Sequence, residues 1–354
     1  MRTTAALALA LAASATALAQ SQYLMIPDSG TSDRVMLFDA ATGALLNADF
    51  IPDAATPYLF TTPKEAIQVG NEIWVSDQVA DAIHRFTASL TPEYIATISG
   101  GLDNIRGLGQ VGNRIYVSNS GTGNGAPGAA IVAFELDGTP AGSFACPDPF
   151  DVVEFHGKLM VTDISGDDIR LFLPDGTLDS VFHNSDGVNG IDFPEQAIIL
   201  NTGPGGAEEV WVTGFTAPAG IYRYDTDGGQ IAYYNVSTGP RGLWPLSDGQ
   251  MLFTEGSAVK VFNPATGDPP VTVFGGTGSG VTPQYVGLLT LGPACDPDLN
   301  QDGNVDQDDI AYLINVVGGG ENPTGIDPDF NHDGNVDQDD VAALINTVGG
   351  GGCP

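Results

Sequence analysis

Two stretches near the C-terminus place oxygen-bearing side chains at the same intervals. In residues 298–309, Asp298, Asn300, Asp302, Asp306 and Asp309 occupy positions 1, 3, 5, 9 and 12, with Gly303 at position 6. In residues 329–340, Asp329, Asn331, Asp333, Asp337 and Asp340 do the same around Gly334. The segments 296–309 and 327–340 lie 31 residues apart and are identical at 12 of 14 positions. Carboxylates and carboxamides are hard oxygen donors. This spacing lets a twelve-residue loop wrap Ca²⁺, with the glycine making the sharp turn and position 7, here Asn304 and Asn335, adding a backbone carbonyl. The expectation is one Ca²⁺ in each loop, with Asp306 and Asp337 acting directly or through water.

The loops need elements to hold them. Ile310, Leu313, Ile314 and Val317 recur at helical spacing, as do Val341, Leu344, Ile345 and Val348, so each loop opens a short amphipathic helix. Gly318 and Gly349 stand where such helices end. Pro297 and Pro328 disfavour a helix before each loop, where an ordinary EF-hand has one. Loop plus exiting helix, twice, with Asp rather than Glu at position 12, resembles a type I dockerin over residues 295–354. That resemblance implies a cohesin domain of a scaffold or surface protein as partner. It also implies that loop positions 10 and 11, Gln307, Asp308, Gln338 and Asp339, face that partner. Cys295 and Cys353 bracket the unit, and the clasped termini common in that family imply a disulfide between them.

Charge sharpens the expectation of metal. The chain has 44 Asp and Glu against 11 Lys and Arg, a formal net charge of −33. Residues 295–354 hold 13 of those acids and no Lys or Arg. Empty loops would repel themselves, so folding of this unit should depend on the ion. The rest of the chain is still acidic, which argues against nucleic acid or an anionic membrane surface as partner.

Residues 20–292 read differently. They are rich in glycine and proline, carry no long helical periodicity, and repeat with a period near 45. One piece begins at Glu65, Arg106, Asp151, Gln196, Arg241 and Tyr285, at spacings of 41, 45, 45, 45 and 44. A second strand follows, as in Trp74–Asp77, Tyr116–Asn119, Met160–Asp163, Trp211–Gly214 and Leu252–Glu255. An alternating strand comes next, then turns such as Asp137-Gly138, Asp175-Gly176 and Asp227-Gly228 lead into a fourth. Four strands per repeat make a propeller blade. The chain starts with a second strand, Leu24–Asp28, and ends the repeats with an orphan first strand, 284–291, which would close a six-bladed ring. The expected fold is an all-β six-bladed propeller followed by a small α-helical, EF-hand-like domain. Its tempo resembles secreted propellers of the NHL-repeat and gluconolactonase-like kind.

In such a ring the strand starts Glu65, Arg106, Asp151, Gln196, Arg241 and Tyr285 would share one mouth with the strand ends Asp77, Asn119, Asp163 and Glu255. The resemblance implies a further divalent cation there, beyond the two Ca²⁺ of the loops, and a metal-dependent hydrolase acting on a lactone or polysaccharide. The other reading is a binding module, polysaccharide being the ligand implied by the company dockerins keep. No G-x-S-x-G elbow or paired-histidine motif offers another chemistry. Cys146 is left over and reads as an unreactive, partly buried thiol. Residues 1–19, with Arg2, an apolar run and Ala17-Leu18-Ala19, read as a secretory signal, which places the protein outside the cell or at its surface and favours the disulfide. No later stretch is long and apolar enough to insert in a membrane.

Overall fold

A computed structural model describes residues 21–186, 188–236, 238–291, 296–331 and 335–350. The expected signal, residues 1–19, and the cysteines Cys295 and Cys353 lie outside the described residues. The chain divides into two compact units, one spanning Gln22–Thr290 and a second that includes the C-terminal loops and helices.

The first unit consists of six four-stranded antiparallel sheets. Their inner strands are Pro63–Val69, Ile105–Val111, Pro149–Phe155, Asp192–Leu200, Pro240–Pro245 and Gly287–Leu291. The last of these pairs with the N-terminal strand Ser21–Asp28, so the sixfold ring closes with strands from both ends of the unit. We number that mixed sheet blade 1 and the others 2 to 6 in chain order. Buried apolar side chains fill the spaces between neighbouring sheets: Trp74, Ile83, Leu108 and Phe134 between blades 2 and 3, and Met160, Ile169, Val212 and Tyr222 between blades 4 and 5. Alternation explains this, since each strand inside a blade presents one apolar face to each neighbour.

Near the start of the inner strands of blades 2 to 6 the register slips, between Pro63 and Glu65, Ile105 and Leu108, Pro149 and Val152, Pro194 and Ala197, and Pro240 and Leu243. A bulge leaves backbone groups without ladder partners. A hydroxyl from the adjoining second strand meets them. Ser76, Ser118, Thr162 and Thr254 accept from the N–H of Glu65, Gly107, Asp151 and Gly242, at 3.1, 2.8, 2.8 and 2.8 Å. The same hydroxyls, with Thr213, donate to carbonyls of the next blade: Arg106, Phe150, Glu195, Arg241 and Gln284, at 2.5 to 2.9 Å. In blade 1 Pro27 stands at that place, and backbone bonds take over, Gln284 N–H to Pro27 and Tyr285 N–H to Lys64.

These bonds fix which residues are equivalent around the ring. Glu65, Gly107, Asp151, Gln196, Gly242 and Tyr285 share one register. Arg106 and Arg241 stand one residue earlier, level with Lys64, Phe150, Glu195 and Gln284. The single ring expected from the repeat spacing is therefore two rings, because a bulge and unequal loops hide a one-residue offset from simple counting.

The second unit holds helices α1, Gln307–Val317, and α2, Gln338–Val348. Each starts with a capping box: Asp306 or Asp337 accepts from the first turn, and Asp309 or Asp340 reaches back. Leu299, Leu313, Phe330 and Leu344 form the core. Ile314 and Ile345, expected on the packed face, are instead about half exposed.

The hydroxyl bridges yield a stability prediction. Ser118→Ala strands a buried N–H and a buried C=O, each worth about 1–3 kcal/mol. Ser118→Thr should be tolerated, since threonine serves in blades 4 to 6. Urea unfolding followed by tryptophan fluorescence should show a lower midpoint for the alanine variant alone; equal midpoints for the two would remove the bridge from the stability account.

Candidate functional site

The ring nearer the middle of the inner strands is a sealed polar layer. Glu65 accepts from the Leu108 N–H at 2.6 Å, in the next blade. Asp151 accepts from Val152 and Ala197, at 2.8 and 2.9 Å. Gln196 accepts from Leu243 and Val286, at 3.0 and 3.1 Å. Three side chains thus satisfy the N–H groups left free by five blades. Gly107 and Gly242 make this possible, because a Cβ on either would lie within 3 Å of the next inner strand's backbone. All three side chains are buried, as is Tyr285. Burial pushes Glu65 well above the usual carboxylate range, helped by the charge of Asp151 and opposed by the Leu108 N–H. Burial likewise pushes Asp151 up to about 7, against the pull of its two N–H donors.

The strand ends expected to gather a cation are engaged with their own loops. Asp77 accepts from the N–H groups of Thr61, Thr62, Val79 and Ala80 at 2.6 to 3.2 Å. Asn119 accepts from Asp103 and donates to Gly121 and Gly128. Asp163 accepts from Asp148 and Ser165 and pairs with Arg170 at 2.7 Å. Glu255 pairs with Lys260. In blades 1 to 4 Asp28, Asp77, Asn119 and Asp163 fasten the loop that enters the blade, a structural use of Asp and Asn that strand-end spacing alone does not distinguish from ligation.

One residue nearer the strand starts, a different set converges. Lys64 donates to Gln284 at 2.9 Å, Arg106 pairs with Asp148 at 2.9 Å, and Arg241 pairs with the buried Glu195 at 3.0 Å. Glu195 also feels the charges of Lys64 and Arg106. Burial brings Lys64 down to about 8, Glu195 working against the shift and the two arginines with it. Lys64 and Glu195 were absent from the expected site; the aligned hydroxyls, not the apolar run, are the signal that finds them. Cys146 is buried and its thiol is pushed up to about 12, chiefly by burial, so it is inert at neutral pH.

In the C-terminal unit the first loop is ordered about its own acids. Asp298 accepts from Asp302 and Gly303, at 3.1 and 2.9 Å, and Asp302 accepts from Asn304 at 2.9 Å. Gly303 has φ +89°, a conformation other residues adopt at a cost. Asp309 accepts from Asn300 and Asp306, and Asp340 from Asn331 and Asp337, at 2.7 to 3.1 Å. Both position-12 carboxylates have no exposed surface. Residues 295–354 have no lysine or arginine to oppose them. Oxygen donors at the spaced positions, with two buried carboxyl groups and no lysine or arginine beside them, fit a hard cation such as Ca²⁺. Asp333 lies outside the described residues.

A ring of six sheets and a doubled acidic loop with exiting helices define a β-propeller joined to a dockerin. Residues 296–349 match the family model of the dockerin type I domain. The propeller resembles NHL and lactonase-like folds. A chain in the crystal structure of a nidogen/laminin complex aligns at TM-score 0.57 and 14% identity, over 76% of this chain and 98% of that one. A putative 6-phosphogluconolactonase from Bacteroides fragilis aligns at TM-score 0.51 and 14% identity, over 76% and 98%. A streptogramin B lyase aligns at TM-score 0.50 and 16% identity, over 75% and 91%. At these identities the likeness shows the fold alone. No curated protein matches the chain.

The sealed carboxyls give the propeller a pH signature. A folded Asp151 keeps its proton where the unfolded chain has lost it. Its stabilisation is therefore complete below the usual 3.8 and is lost as pH rises through about 7. Glu65 acts in the same direction. Melting followed by tryptophan fluorescence reads the propeller alone, since Trp74, Trp211 and Trp244 all lie there. The melting temperature should fall between pH 5 and 8, and Glu65→Gln should flatten the fall. A wild-type profile flat over that range would contradict the assignment.

Proposed function

We propose that the C-terminal dockerin docks this propeller onto a cohesin-bearing scaffold or cell-surface assembly outside the cell, and that the propeller serves there as a binding module linked to polysaccharide. Dockerin domains bind calcium and cohesins. Here the ligands are Asp298, Asn300, Asp302, Asn304, Asp306 and Asp309 for one Ca²⁺, and Asp329, Asn331, Asp333, Asn335, Asp337 and Asp340 for another. The observation that carries the docking reading is a matched pair of exposed faces. Gln307 and Asp308 are exposed, as are Gln338 and Asp339. Val305 and Val336 are 47% and 46% exposed, and Ile314 and Ile345 54% and 51%. Four apolar side chains on solvent in so small a unit, related in pairs by the repeat, suit a partner that covers them. The acidic pairs favour Lys or Arg opposite.

The binding reading of the propeller is supported by the engagement of Asp77, Asn119 and Asp163 with loop backbone. Export is supported by residues 1–19, and a Cys295–Cys353 disulfide would suit that compartment. Among the described residues no helix is long and apolar enough to cross a membrane.

Two measurements test this. Calorimetry should count two Ca²⁺ in the full chain and one in Asp302→Ala, with helix signal lost on chelation; two full-strength sites in the variant would refute the ligand set. Because the two copies offer the same residues, either should dock. Replacing Gln307 and Asp308 by alanine, or Gln338 and Asp339, should weaken cohesin binding only a few-fold, by about 1 kcal/mol or less. Replacing all four should abolish it. A large loss from one pair alone would show a single fixed orientation.

A further inference from the structure

The propeller has ten lysines and arginines among its described residues, and seven serve as ion-pair partners within their blades or loops, such as Arg85 with Glu72 and Arg223 with Glu209. The other three, Lys64, Arg106 and Arg241, converge at the strand starts. Two carboxylates face them, Asp148 on Arg106 and Glu195 on Arg241. Lys64 is 8% exposed, and its ammonium donates to the neutral amide of Gln284 rather than to a carboxylate. Glu65 and Asp151, one residue further along, are held toward their neutral forms by burial. In a chain so acidic, this is a local concentration of positive charge with donors to offer.

Aromatic rings join the two guanidiniums. Arg106 lies over Phe150 at 4.0 Å, and Arg241 over Phe215 at 4.5 Å. Phe193 packs between, its ring 4.8 Å from Phe150 and 5.6 Å from Phe215. Phe193 has φ +54°, a left-handed conformation rare for a bulky residue. Held strain of that kind clusters at ligand sites. Phe215 also opens onto a shallow cavity of ≈ 540 Å³, with Pro218, Tyr233, Asn235 and Thr238 on its walls. The cavity thus offers ring faces and an amide beside a paired guanidinium, all at the end of the propeller where the inner strands begin.

We propose that this face of the propeller binds an acidic saccharide, with the sugar rings on Phe215 and Tyr233 and a uronate carboxylate on Arg241, in the positive field that Lys64 and Arg106 reinforce. The guanidinium fork matches a carboxylate in shape as well as charge. Tyr and Phe faces suit the apolar side of a pyranose, and Asn235 and Thr238 can bond its hydroxyls. The inference rests on the reading of the propeller as a binding module and adds the class of ligand.

The test uses the full chain with calcium present and calorimetric titration with three probes: a xylo-oligosaccharide carrying one glucuronate, the same oligosaccharide without it, and inorganic sulfate. The glucuronate form should bind, more weakly as salt rises. Tyr233→Ala, at a residue 38% exposed, should weaken it about tenfold, as should Arg241→Gln with Glu195→Gln, which removes the ion pair without orphaning either charge. Equal binding of the neutral oligosaccharide would overturn the acidic class and leave the binding module standing. Sulfate binding as well as the glucuronate form, untouched by Tyr233→Ala, would overturn the saccharide. No binding of any probe, in a chain that still docks to a cohesin, would overturn this proposal and the propeller reading together, but not the dockerin's role.

Discussion

A hydroxyl that bonds two blades at once underlies the propeller. In blades 2 to 6 the inner strand bulges near its start, which leaves backbone groups without ladder partners. In four of them the Ser or Thr of the neighbouring strand accepts from a backbone N–H there and donates its own O–H to the next blade's carbonyl, as Ser118 does between Gly107 and Phe150. A blade alone could not satisfy those groups without water. Closing the ring satisfies them in a buried place, where an unmet donor costs most. The ring is thus held by directional bonds near the axis and by apolar packing further out, where Trp74, Tyr222 and Phe253 are buried.

That arrangement decides which side chains are free for anything else. Glu65, Asp151 and Gln196 complete the backbone of neighbouring blades, and the glycines at 107 and 242 give them room. Asp77 and its counterparts fasten the loops. A carboxylate surrounded by four N–H groups, as Asp77 is, has little left with which to hold an ion or a substrate. The propeller's axial cations lie one residue earlier in the inner strands, where Lys64 meets only an amide and each of the two arginines, though paired, also lies over a phenylalanine.

The six-bladed ring was legible in the sequence because four-strand tempo, turn residues and apolar alternation are all local. The dockerin was legible for a stronger reason: metal geometry demands particular oxygens at particular intervals, so the intervals carry the chemistry. The two rings at the axis were not legible. Counting from each apolar run put Arg106 and Arg241 level with Glu65, because a one-residue bulge changes the facing of a side chain without changing the composition around it. The hydroxyl positions, V-S-D, V-S-N, V-T-D, V-T-G and F-T-E, were present in the second strands and would have given the register. Ile314 and Ile345 failed in the opposite sense: helical spacing marked them for a core that is too small to take them.

The two units manage charge by different rules, and this separates what calcium can control. In the propeller nearly every cation meets a carboxylate of its own fold, so its structure is complete without imported charge. Residues 295–354 have acids at the first turn of both helices and no lysine or arginine. Helix N-termini attract Asp308, Asp309, Asp339 and Asp340, but a half-charge at each end cannot offset thirteen acids. Only an added cation balances the loops, and the loops lead directly into the helices that carry the exposed isoleucines. Calcium held in the loops would therefore bear on the helix starts and the isoleucines beyond them, while the propeller's register rests on hydroxyl bonds between its own strands.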